Sequence, residues 1–377
     1  MRPAFSSSKQ AAAFALLLLV LLALPTVMGK NLLPPREQSY AIQGWDNGPY
    51  PWIRQQIFEE TNDIDIAFVG SSLMMWGIDT PYVQAKLSDR LGRPAVVRSI
   101  CWGGTGYDAL YFITQDLLAH RKVRLLVFYD EDNVLKGYRN SQAPIWFRYG
   151  DNSAALTGLP ALEKPLFYFS AIIGAPRNLL GWLRPNLPMP TTSATLNYME
   201  TMFHTPNPAM RLGSVSAQLT CNALADGQPF KAFTPRTETT PADVYVYSAT
   251  NQAGFQFLNE TLPAWQKHFA IKFGALAAQH GCKLAMLNLP QFDTNRPAVL
   301  RERIFWPDLF SNQLAIVGVP PARLWAGLSE AEVYLLYGNA GHRNNAYASH
   351  LNQNGQKFFT ALITPALIEL YEAAGKP

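Results

Sequence analysis

Apolar positions fall into two rhythms along this chain. In Ile64-Asp65-Ile66-Ala67-Phe68-Val69 every position but one is apolar, and a short continuous run rich in such residues predicts a buried strand. Residues 81–91 carry apolar side chains at helical intervals with Pro81 at the start, where a proline fits a first helical turn. Residues 94–100 predict a second strand, 107–120 a second helix and 123–129 a third strand. Strand and helix alternating at this spacing predict right-handed βαβ units: an α/β fold with a mainly parallel sheet and helices on both faces. The rhythm then stops. From about residue 137 to 253 the chain is rich in Pro, Thr, Asn and aromatics with no sustained period, the mark of a large central insertion rather than of core elements. Within it, residues 166–183 are strongly apolar but interrupted by Pro176 and Arg177, which suits an amphipathic helix packed on the domain or lying at a membrane surface better than a membrane span. The α/β rhythm returns with a helix over 262–280, a strand over 283–289 and a last helix over 353–371.

The first 29 residues follow neither rhythm. Arg2 and Lys9 precede an unbroken apolar run from Ala11 to Leu24, followed by Pro25 and Val27-Met28-Gly29. Positive charge ahead of an apolar run is the pattern of an export signal, with the N-terminus inside and the remainder across the membrane. Gly29 with Val27 two residues before it fits a cleavage site, while the run extended to Met28 approaches the ~20 residues that span a bilayer. A cleaved signal and an uncleaved anchor are both compatible with the pattern. The expected organisation is a signal or anchor over 1–29 and a single α/β domain over 30–377, in an exported, periplasmic or otherwise extracytoplasmic protein.

Composition changes this picture little. Among 377 residues the formal net charge is +4, and no dense basic stripe marks a nucleic-acid partner. Three cysteines, Cys101, Cys221 and Cys282, are too few for a disulfide framework and read as buried thiols behaving as small apolar residues. No Cys-x-x-Cys, paired histidine or clustered carboxylate pattern suggests a metal site, and no cofactor is implied.

Two short segments carry candidate chemistry. The first strand runs into Gly70-Ser71-Ser72, the place where an α/β enzyme exposes a nucleophile. Far downstream stands Ser349-His350-Leu351-Asn352-Gln353-Asn354-Gly355, ahead of the last helix. A serine hydroxyl is a poor nucleophile until a base takes its proton, so Ser72 acquires meaning from an imidazole such as His350. Between them, Ser99-Ile100-Cys101-Trp102-Gly103-Gly104-Thr105-Gly106 ends the second strand in a glycine turn, and Asp130-Glu131-Asp132-Asn133 follows the third. The remaining histidines, His120, His204, His268 and His280, have no motif around them and read as structural or solvated; His342 lies near His350 in sequence.

These four segments resemble, in order, the four blocks of the SGNH/GDSL hydrolase superfamily, with Gly-Ser-Ser similar to its membrane-linked branches that act on envelope polymers. The resemblance covers the two α/β portions and leaves the central insertion unexplained. It implies a three-layer α/β/α, flavodoxin-like fold, with Ser72 as nucleophile and His350 as base. The Ser72 and Gly103 amides, together with Asn133, would then form an oxyanion hole. The sequence departs from the family at three points: Ser71 stands where the family more often has Asp, Asp132 and Asn133 stand in reversed order, and Tyr347 occupies the position of the triad Asp three residues before the His, leaving a Ser–His dyad. The expected activity is that of an extracytoplasmic serine esterase or O-acyltransferase whose partner is an acylated glycan, an envelope polysaccharide or a small ester. The alternative is a catalytically degenerate domain that binds carbohydrate or scaffolds the cell envelope. Aromatics of the insertion, among them Trp146, Phe147, Tyr149 and Trp182, suit stacking on sugar rings or covering the cleft, although core packing is the more common fate of such residues.

Overall fold

The computed structural model describes residues 5–28, 36–37, 40, 53–102, 106–129, 143, 153–165, 245–247, 262–289, 315–318, 336, 351 and 353–375; the side chains of 22, 24–28, 72, 76, 245–247, 316, 318, 353 and 354 lie outside this set. Its centre is a six-stranded sheet built from β1 (Ile64–Gly70), β2 (Val97–Cys101), β3 (Val123–Phe128), β4 (Tyr245–Tyr247), β5 (Lys283–Leu287) and β6 (Ala315–Gly318), in the order β2-β1-β3-β5-β6-β4. The first five in that order are mutually parallel, and β4 closes one edge antiparallel to β6. The protein is therefore a mixed α/β fold with a mainly parallel sheet.

The near-continuous apolar composition of the strands follows from burial on both sides. Ala67, Val69, Leu126, Phe128, Leu284 and Met286 join one apolar cluster, while Ile66, Phe68, Leu125, Val127, Ala285 and Leu287 join another. Onto the first face pack α4 (Tyr107–His120), through Phe112 and Ile113, and α6 (Ala264–Gln279), through Phe269 and Phe273. The second face is covered by α2 (Ser72–Gly77), α3 (Thr80–Leu91) and α7 (Gln353–Ala373), through Met74, Val83, Leu87, Phe359, Ile363 and Leu367. Helix ends follow local chemistry: Asp79 caps α3 by accepting from the Tyr82 amide at 3.2 Å, and Gly92 ends the helix at φ 63°, a left-handed turn that favours glycine.

The predicted elements over 64–69, 81–91, 94–100, 107–120, 123–129, 262–280, 283–289 and 353–371 are present with ends shifted by a few residues at most. The structure adds α2, β6, a short α5 (Ser153–Leu156) and a single π turn over Gln55–Glu59. Within the stretch of about 137–253 that the sequence marks as an insertion, β4 adds an edge strand to the central sheet. Its three residues are too few to show a period. Residues 166–183, Cys221, His204 and His342, and Trp146, Phe147, Tyr149 and Trp182, lie outside the described residues.

At the N-terminus, α1 (Ser8–Met28) is a continuous helix with Phe14 and residues 16–21 exposed. Among the described residues no helix is long and apolar enough to cross a membrane; in α1 the described side chains run only as far as Leu21 and Ala23. Downstream of α1, the chain docks on α4: the buried Tyr40 hydroxyl donates to Asp116 at 2.6 Å, and Arg36 Nε pairs with the same carboxylate at 3.0 Å.

The far end of the sheet is tied by Asp65. Its carboxylate accepts from Arg93 at 2.6 and 3.1 Å, from the Val96 amide at 2.7 Å and from the Tyr371 hydroxyl at 2.5 Å. Burial pushes this carboxyl upward, but the Arg93, Tyr371 and Val96 hydrogen bonds together outweigh burial and hold it below the usual 3.8. Because the folded value is depressed, the stabilisation is complete above pH 3.8 and is lost as pH falls through the lower, folded value. Asp65→Asn is expected to cost about 2 kcal/mol at neutral pH, since it weakens several hydrogen bonds to a charged group. The gap between variant and wild type should close below pH 3.8, as read by urea unfolding across a pH series.

Cys101 and Cys282 are free and buried, and burial pushes each thiol up to about 12. Neither is expected to react with a maleimide in the native protein at pH 7.5, whereas both should label in denaturant. Peptide mapping after labelling reads this directly, and native modification at either position would contradict the burial.

Candidate functional site

Four parallel strands deliver their C-terminal ends side by side. β1 leads into Gly70-Ser71, β2 into Trp102, β3 into Tyr129 and β5 into Asn288-Leu289. Pairing continues to the last residue of β1, where the Trp102 amide donates to the Gly70 carbonyl at 3.0 Å. In open α/β sheets the crevice beyond these carboxyl ends is where ligands bind. The Ser72 segment and Trp102, the residue before Gly103-Gly104-Thr105 in the sequence, both lie at this edge.

Ser71 caps α2. Its backbone is extended (φ −92°, ψ −169°), and its hydroxyl accepts from the Leu73 amide at 3.3 Å. The same hydroxyl is hydrogen-bonded to the Tyr129 hydroxyl. Ser71 and Tyr129 are 4% and 7% exposed, so this pair sits away from bulk water. Parallel register explains the meeting: Phe68 pairs with Val127, which places Tyr129 beside Gly70 two residues on. A Cβ at position 70 would stand 2.9 and 3.0 Å from ring atoms of Tyr129 and 3.2 Å from Met74 Cβ. Glycine is needed there because the phenol ring lies across the end of the strand.

Ser72 is the first residue of α2; its side chain, with Gly103, Asn133, Asp132, Tyr347 and His350, lies outside the described residues. The chain around two of these is in place. Leu351, next to His350, is buried in the apolar cluster that also holds Met74, Met75, Tyr129 and Leu289. Two residues further on, α7 begins and lies along the α2–α3 segment. Gln356 Nε2 donates to the Ile78 carbonyl at 3.1 Å, and the Asp79 amide donates to Thr360 Oγ1 at 2.9 Å. Gly355 is also confined: an added Cβ would run into the Leu336 carbonyl oxygen. Segments 278 residues apart are thereby brought to one edge of the sheet.

Trp102 precedes the glycine turn and is 1% exposed, with no hydrogen-bond partner for its Nε1 among the described residues. Past the turn, Gly106 adopts φ +125° and Asp108 is fully buried, accepting from Trp265 Nε1 at 2.9 Å and from the Ala109 amide at 3.0 Å. Gln266, also fully buried, accepts from the Tyr107 amide at 2.7 Å. This polar cluster fixes the chain immediately after Gly103-Gly104-Thr105 to α6. Sequence reasoning missed both Tyr129 and Asp108. Tyr129 showed only as the last residue of a predicted strand and Asp108 only as one position of the helix predicted over 107–120, and their partners are set by pairing and packing.

Two of the motif-free histidines, His268 and His120, have structural surroundings. The His268 ring is hydrogen-bonded to the Ala155 carbonyl at 2.7 Å, and burial lowers its proton affinity despite that bond. His120 Nδ1 lies 2.8 Å from the Asp116 carbonyl. Among the described residues no group of three or more His, Cys, Asp or Glu side chains is placed to hold a metal. No protein-family model, curated protein or solved structure matches this chain.

Proposed function

We propose that this protein is an extracytoplasmic serine ester hydrolase or O-acyltransferase acting on an acylated glycan or envelope polysaccharide, with an SGNH-type, three-layer α/β/α fold. One observation carries the reading: Ser72 opens a helix at the C-terminal end of β1, and the chain just after His350 packs against that same helical segment. The five parallel strands, taken in chain order, lie as 2-1-3-4-5, the flavodoxin-like order whose crevice falls beside β1 and β3.

In this mechanism Ser72 Oγ attacks the acyl carbonyl carbon while His350 takes its proton. The resulting oxyanion accepts hydrogen bonds from the Ser72 and Gly103 amides and from the Asn133 side chain. As the carbonyl re-forms, the C–O bond to the leaving alcohol breaks, and His350 returns the proton to that oxygen. Water or a sugar hydroxyl then attacks the acyl-enzyme with His350 as base, and Ser72 departs carrying the proton. Water completes a hydrolase cycle; a sugar hydroxyl completes a transferase cycle. Tyr347 and the inverted Asp132-Asn133 pair instead support a binding domain without turnover. Export through the 1–29 segment, as cleaved signal or retained anchor, agrees with the exposed apolar side chains of α1.

The test is covalent labelling of the full chain, in mild detergent, by a fluorophosphonate. Labelling that maps to Ser72 supports the enzyme. A folded protein that neither labels nor hydrolyses an aryl acetate supports the binding domain.

A further inference from the structure

We infer that Tyr129 is a positioning residue for Ser72, acting through the Ser71 hydroxyl; the inference rests on the serine chemistry proposed above. Ser71 Oγ is held from two sides, by the Tyr129 hydroxyl and by the Leu73 amide. Ser72 lies between the two residues this one oxygen connects, so the peptide units on either side of it share an anchor. That anchor sets the direction of the Ser72 amide, the one assigned to the oxyanion.

The anchor is rigid for three reasons. The phenol ring lies across the end of β1 against Gly70, with no room for a methyl group between them. Tyr129 follows β3 directly, and β3 is paired on both sides, with β1 and with β5. The hydroxyl pair is buried, beside the apolar cluster to which Tyr129 and Met74 belong, where water does not replace a lost partner at low cost. Removing the phenol oxygen takes away the Tyr129 bond to Ser71 while leaving the ring to fill its space. A displacement of order 1 Å at a nucleophile costs up to about a hundredfold in rate without weakening ground-state binding.

The experiment compares wild type with Tyr129→Phe, Ser71→Ala and the double variant, using full-length protein in mild detergent. It reads kcat and KM for an aryl acetate, the rate of fluorophosphonate labelling, and the thermal midpoint. Either single change is expected to lower kcat and labelling roughly ten- to hundredfold at unchanged KM, and the double variant to be no worse than the poorer single, because the two hydroxyls act as one unit. Wild-type kcat and labelling in a folded Tyr129→Phe protein would overturn the inference and leave the pair a purely structural bond. Losses that multiply in the double variant would overturn it as well. If Ser71→Ala does not fold, Tyr129→Phe alone decides. A wild type that neither labels nor turns over overturns the serine chemistry and this inference together.

Discussion

Alanine at position 72 is expected to lower aryl-ester turnover by at least about 10³-fold and to abolish fluorophosphonate labelling, with the fold intact. The change removes only an oxygen from the first residue of a six-residue helix whose cap is Ser71, not Ser72. The Leu73 bond to Ser71 and the Met75 amide to the Ser71 carbonyl at 3.0 Å both survive it. A large loss of rate with little loss of stability is therefore the signature expected of a nucleophile. His350→Ala should cause a loss of similar size, and the double variant little more, because a nucleophile without its base and a base without its nucleophile are equally idle. With Tyr347 in place of the triad acid, wild-type turnover is expected to be modest, since that acid normally holds the imidazole tautomer. A Ser72→Ala protein that hydrolyses the ester at the wild-type rate would refute the assignment. Stopped-assay rates and intact-mass labelling make the measurement.

The largest stability effect is expected at Asp108. Asp108→Ala strips an acceptor from Trp265 Nε1 and from the Ala109 amide in a fully buried setting. Orphaned donors and the space left behind together cost about 3 kcal/mol, which lowers the thermal midpoint by roughly 5–10 °C. Asp108→Asn keeps one acceptor oxygen and should cost clearly less. The loss also reaches the edge of the sheet, because Gly106 precedes this cluster and Gly103-Gly104-Thr105 precede Gly106. Its φ of +125° and the closeness of the Asp108 carboxylate exclude a side chain at that position. Thermal unfolding by circular dichroism gives the midpoint, and a variant within about 2 °C of wild type would show that the cluster contributes little.

Some of the candidate site was legible early. Gly70-Ser71-Ser72 stands where a strand pattern stops, and His350 stands just ahead of a long apolar helix, so both positions could be named without a structure. Tyr129 could not, because parallel pairing joins residues with no sequence signal between them. The depressed carboxyl of Asp65 was equally invisible: its partners Arg93, Val96 and Tyr371 come from a loop, the approach to β2 and the C-terminal helix.

Period and burial determined the α/β character from the sequence by itself. A strand buried on both faces must be apolar nearly throughout, and a helix covering a sheet must repeat its apolar positions every three to four residues. For this reason β1, β3, α4, α6 and α7 were recoverable to within a few residues. Tertiary structure alone decided the strand order, the membership of β4 and β6, and the meeting of α2 with α7. At three and four residues β4 and β6 are too short to stand out as strands, and the six residues of α2 span less than two helical turns, while the packing of residues 278 apart is decided by shape and hydrogen bonding across a folded sheet.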